Sequence, residues 1–153
     1  MDRSATSTDG TLTGAGPDPR PLTDEEKAVL REAVGPLLPD MDATVQTLPG
    51  IREEAHHDRG EDAVCAWIRE PGGRDGPGIE VWLYCSPADQ LYYLAEQLQS
   101  WAGDVQVDPG RRPWPDCPDH PGSHMLMPDT RDQIAVWCCP QSGRVIAAIG
   151  RLA

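Results

Sequence analysis

The chain contains no phenylalanine, and a single lysine, Lys27, stands beside twelve arginines. The first absence leaves five tryptophans and three tyrosines to supply the bulky anchors of a core. The second is a codon bias of a GC-rich genome rather than a sign of function. No apolar run approaches the roughly 20 residues that a membrane-spanning helix needs, and the polar N-terminus lacks the apolar stretch of a signal peptide. Cysteine is scarce and odd in number, at five. A secreted disulfide framework is therefore not expected, and a reduced, cytoplasmic setting is.

Positive charge is the next shortage: 13 bases face 25 acids, for a net charge of −12. The deficit is uneven. Residues 1–60 carry twelve acids and six bases, residues 61–110 nine and two, and residues 111–153 four and five. The first two stretches would repel a polyanion, which argues against nucleic acid or an anionic membrane as their partner. A basic protein partner would be favoured, and solubility alone would also explain the charge.

Hydrophobic residues make up 39% of the chain, while proline and glycine number 16 and 15. Loops must occupy much of such a chain, and 153 residues suit one domain or one with a small appendage. Residues 1–21 read as a disordered arm of small and polar residues. An acidic α+β body, 22–107, follows. Thr23 and Glu26 form a capping-box pattern that opens a helix with Val29, Leu30, Ala33, Val34 and Leu37 on one face, disturbed at Gly35-Pro36. Pro39 to Pro49, through Met41, Val45 and Leu48, has room for another helical turn or two. Asp62–Arg69 and Ile79–Cys85 alternate as strands around a long Gly/Pro turn and predict a loose hairpin. Ser86 as N-cap and Pro87 as first helical residue predict a helix to about Trp101, ended by Gly103, with Leu91, Leu94, Ala95, Leu98, Trp101 and Ala102 in one stripe. Asp108–Pro113 reads as a linker. Beyond it, Met125–Met127, Ile134–Cys138 and Arg144–Ile149 read as strands. The expected fold is α+β: an antiparallel hairpin with packed helices, joined to a β-rich zinc-knuckle module over 108–153.

What is concentrated, against this background, is soft-ligand chemistry. Three of the five cysteines and two of the four histidines fall between Cys117 and Cys139. Cys117-Pro118-Asp119-His120 places two ligands at a spacing that lets one turn grip one metal, and Cys139-Pro140-Gln141-Ser142-Gly143 offers a second proline-stiffened turn. The second turn departs from the knuckle form C-P-x-C-G, because Ser142 stands where a second cysteine would, and serine is a poor zinc ligand. His124 is the natural replacement. Cys138 is the other candidate, but strand alternation should point it away from Cys139. The preferred set is Cys117, His120, His124 and Cys139, with zinc as the cofactor. A closed set of four favours a structural role, the metal substituting for a core that a short module cannot build. Packing of the cysteines as small apolar side chains, or redox use, would be the alternatives.

Trp114-Pro115, Cys117-Pro118-Asp119-His120, Trp137, Cys139-Pro140, Gly143 and Ile149-Gly150-Arg151-Leu152 together resemble the tail of small, uncharacterised actinobacterial proteins. The resemblance covers about the last quarter of the chain. It implies a zinc-ribbon-like module and no particular activity.

Other chemistry is thinner. Glu53-Glu54-Ala55-His56-His57-Asp58 contains Glu-x-x-His twice, but a di-iron bundle needs several long helices and this chain has none to supply them. Cys65 and Cys85 lie near each other in the expected hairpin. Either would need an imidazole, such as His56 or His57, to act as a nucleophile. Trp82, Tyr84, Tyr92 and Tyr93 are expected to cover the sheet, or to form an aromatic patch ringed by acids that suits a protein partner. The reading that follows is a non-enzymatic protein-binding or adaptor protein with a structural zinc and no membrane partner. The alternatives are a small enzyme with an open zinc site or a Cys/His pair, and a nucleic-acid-binding zinc ribbon using Arg111, Arg112, Arg131, Arg144 and Arg151.

Overall fold

The computed structural model describes residues 20–42, 48–55, 61–70, 72–105 and 113–152. Among them are three helices and two three-stranded antiparallel sheets, an α+β arrangement. Most of the N-terminal arm, His56, His57 and Asp58, and nearly all of the 108–113 linker lie outside the described residues.

Helix α1 spans Asp24–Val34 and starts at the predicted capping box. The Thr23 N–H donates to Glu26 Oε2 (2.8 Å), and the Glu26 N–H donates to Thr23 Oγ1 (3.2 Å). Arg20 adds a fork of two bonds to the same carboxylate, which holds Glu26 down at about 2, well below the usual range. Just ahead of the helix, Pro21 bridges to Glu54, so the entering chain is tied to the segment that follows the first strand of the first sheet. Gly35 closes α1, and α2, Leu37–Asp42, follows at once. It begins earlier than the spacing predicts, because Pro39 is tolerated within a first turn, where its missing N–H is not needed.

The first sheet has the order β1 (Gly50–Ile51), β2 (Ala63–Arg69), β3 (Asp75–Trp82). Strand alternation holds in β2: Val64, Ala66 and Ile68 join the main core, while Cys65 is buried outside it and Trp67 is half-buried. Strand β3 begins at Asp75 rather than Ile79, running through Gly76-Pro77-Gly78, which the composition assigns to a turn. An edge strand accommodates such residues, since its outer N–H groups have no strand to meet. Helix α3 (Pro87–Val105) serves that edge instead. The Glu80 N–H donates to Gln97 Oε1 (2.7 Å), and Gln97 Nε2 donates to the Glu80 carbonyl (3.0 Å). Gln90, two turns earlier on α3, donates from Nε2 to the Trp82 carbonyl (2.9 Å).

Ser86 caps α3 as expected, its Oγ accepting from the Asp89 N–H (3.2 Å). The helix passes through Gly103 and ends four residues beyond Trp101, at Val105. Its stripe of Leu94, Ala95, Leu98, Trp101 and Ala102 is buried, and it packs against α1 and β3. It also packs on the second sheet, β4 (Met127–Arg131), β5 (Ile134–Cys138) and β6 (Val145–Ala148). One apolar cluster therefore runs from Leu22 through both sheets to Ile149. Gln99, buried on α3, reaches the same second half, donating from Nε2 to the Leu126 carbonyl (2.6 Å). No helix among the described residues is long and apolar enough to cross a membrane.

A buried carboxyl joins the two halves. Asp40, wholly buried on α2, accepts from Trp137 Nε1 (2.7 Å) and the Gly150 N–H (2.6 Å) at Oδ2, and from the Leu152 N–H (2.9 Å) at Oδ1. Its backbone carbonyl lies 3.4 Å from Trp114 Nε1, and the Trp114 and Trp137 rings meet edge to face. Gly150 has φ +92, and a Cβ there would lie 2.6 Å from the Pro36 carbonyl oxygen. Only glycine permits both that backbone shape and that approach.

Candidate metal centre

Two turns and one strand end build the cluster. The first turn is closed at its base by a bridge between Asp116 and Met125 and by a bond from the Leu126 N–H to the Pro115 carbonyl (2.7 Å). Inside it, the Cys117 N–H donates to the His124 carbonyl (3.2 Å) and the His120 N–H to the Cys117 carbonyl (3.1 Å). Asp116 Oδ1 accepts from the Gly122 N–H (2.8 Å). These bonds fold Cys117, His120 and His124 onto one side of a tight loop. The second turn follows β5. The Cys139 N–H donates to the Arg144 carbonyl (2.9 Å) and the Gly143 N–H to the Cys139 carbonyl (2.8 Å), with Gly143 at φ +72. The β5–β6 pairing shifts register between Trp137 and Cys138, just before this turn.

The result brings together all four residues of the preferred set. One ligand atom from each of Cys117, His120, His124 and Cys139 lies within 4.8 Å of every other. His120 Nδ1 is 3.6 Å from Cys117 Sγ and 3.5 Å from Cys139 Sγ, and His124 Nε2 is 3.5 Å from Cys139 Sγ. A tetrahedral zinc with ordinary Zn–S and Zn–N bonds would set sulfur and nitrogen about 3.6 Å apart. These three sulfur–nitrogen distances thus match the edges of a tetrahedral metal site, and the donor set is compatible with a metal ion. Both cysteines are buried and both histidines half-exposed.

Cys138 takes no part. Ala135, Trp137 and Cys139 join the common core, whereas Val136 and Cys138 are buried outside it, as alternation requires. Neither Cys65 nor Cys85 is in a disulfide, and the imidazoles proposed as their bases, His56 and His57, lie outside the described residues. The four aromatic residues of the expected patch form two pairs, Trp82 with Tyr84 and Tyr92 with Tyr93, and Tyr84 is the most exposed large hydrophobic side chain among the described residues, at 74%.

The surroundings of the cluster include residues that spacing alone leaves unassigned. Ser142, in the place of the missing cysteine, instead serves Cys139. Its hydroxyl is the main influence holding that thiol down to about 5, with help from the Ser142 and Gln141 N–H groups and from His124, while burial opposes them. Asp119, between Cys117 and His120, receives a fork from Arg144: Nε lies 2.9 Å from Oδ2, and Nη2 bonds to Oδ1. The pair spans the two turns. It lowers the Asp119 carboxyl and raises the Arg144 guanidinium relative to their ordinary values. The sequence signal for this clasp is weak: an acid inside one ligand turn and a base just after the other.

Comparison of the chain with family models, with curated proteins and with solved structures gives no match.

Proposed function

We propose that the chain is a non-enzymatic protein-binding adaptor whose C-terminal part is a zinc-ribbon-like module held by a structural zinc. The observation that carries this reading is the meeting of two sulfurs and two imidazole nitrogens within 4.8 Å of one another, three of their sulfur–nitrogen distances at tetrahedral edge length. Cys117 and Cys139 would hold the ion through Sγ, His120 through Nδ1 and His124 through Nε2. A tetrahedral S₂N₂ set suits zinc among the common divalent ions. Four protein donors leave no position for a reacting water, which favours a structural over a catalytic role. Thiolate donors also suit a reducing, cytoplasmic setting.

The adaptor half rests on charge. A net charge of −12 favours a basic or mixed protein surface. The nucleic-acid reading loses ground because Arg144 is engaged by Asp119 and Arg131 by Asp129.

The test is elemental analysis of protein purified without added metal, repeated on Cys117→Ser and Cys139→Ser. One zinc per chain is expected, lost in both variants together with ordered structure in the tail. Zinc bound equally well without either cysteine would overturn the ligand set.

A further inference from the structure

A cleft of about 550 Å³ opens where α1, the start of α3 and the β4–β5 turn meet. Val29, Leu83, Leu91, Ile134 and Ile149 contribute apolar surface to it, and Glu32 is the one charged residue of its lining among the described residues. The Glu32 carboxylate has no ion-pair or hydrogen-bond partner among the described residues. Two large side chains of the lining stand well out into solvent, Ile134 at 55% and Leu83 at 40%.

These anchors are held firmly. Ile134 follows a two-residue hairpin turn in which Asp132 and Gln133 both have positive φ (48 and 63), the form that matches strand twist. Leu83 is tied by its N–H to the Asp62 carbonyl (2.9 Å). Binding here would therefore order little that is not already ordered, which lowers its entropic cost. A second copy of this chain is a poor occupant, because two surfaces of a −12 protein would face each other.

We infer that this cleft is the docking site of the adaptor, and that its occupant is a segment of another protein carrying apolar anchor side chains flanked by arginine or lysine. The inference deepens the adaptor reading and rests on it. The apolar anchors would fill the space between Leu91 and Ile134, and a flanking cation would meet Glu32.

The test uses the full chain and fluorescently labelled synthetic peptides, one set with a Leu-Leu anchor flanked by arginines and one with the same anchor flanked by glutamates. Fluorescence anisotropy should show binding of the arginine set, weakening as salt rises. Ile134→Asp should weaken it by about tenfold or more, as loss of a central anchor does. Glu32→Lys should shift preference toward the glutamate set. Failure of both sets to bind, equal binding of both, or indifference to Ile134→Asp would overturn the inference. A dimer in sedimentation that Ile134→Asp dissociates would assign the cleft to a second copy, and would also overturn it. Zinc content measured on the same samples separates the readings: peptide binding absent with zinc retained defeats the docking site alone.

Discussion

Among the described residues, the polar centres around Asp40 and around Cys139 are completed differently. Around Asp40 the protein supplies both sides: one carboxyl and three N–H donors from Trp137, Gly150 and Leu152. Around Cys139 it supplies electron-pair donors from four side chains, with Ser142 and backbone N–H groups on one sulfur. The first centre is finished when the chain is folded. The second has the shape of half an interaction, for which a cation is the natural other half. The two should therefore respond differently to solution conditions, and this difference can be probed.

The largest expected effect is metal removal. A metal present at a thousandfold its dissociation constant adds about 4 kcal/mol, roughly 10 °C in midpoint for a chain this size. Chelation should lower the melting temperature by that order. In hydrogen exchange, protection should be lost first in the loop 115–126 and the turn 139–144, while β2 and α3 stay protected. Uniform loss would mean that the cluster does not act as a local staple. Asp40→Ala should cost about 3 kcal/mol, because buried N–H donors lose their acceptor. It should destabilise both halves together in urea unfolding and leave metal stoichiometry intact in the folded fraction.

Ser142→Ala should keep the ligand set but lose a hydrogen bond to its sulfur, and zinc affinity should fall about tenfold in chelator competition. An unchanged affinity would reduce Ser142 to a turn residue. The smallest effect lies far from both centres. Glu26 is held at about 2 against an ordinary value of 4.5. Its contribution is then fully present above about 4.5 and is lost as pH falls toward 2. Urea midpoints of Glu26→Gln and the parent should converge across that window. A difference that is undiminished at pH 2 would remove the Arg20–Glu26 pair as the cause.

Local signals were readable wherever the interaction itself is local. Thr23 with Glu26, Ser86 with Pro87, and Cys117 with His120 are all three residues apart or nearer, and each appears as its spacing predicts. The gathering of His124 and Cys139 was legible for a different reason, since few other soft ligands were available to complete the set. Asp40 gave no such signal. Its partners lie 97 to 112 residues away, and between Pro39 and Met41 it looks like any surface acid. The start of β3 was hidden because Gly76-Pro77-Gly78 has the composition of a turn, and only pairing with β2 makes it a strand. The β1 pairing was hidden by its two-residue length.

Gln97 gives the first sheet something unusual for its outer strand: a side-chain amide that presents one acceptor and one donor to Glu80, the same pair a neighbouring strand would offer. The sheet is in effect terminated by an imitation of its own next member. A partner cannot add a strand at Glu80 and Trp82 without first displacing the helix. At that end of the strand, recruitment must then proceed through side chains alone.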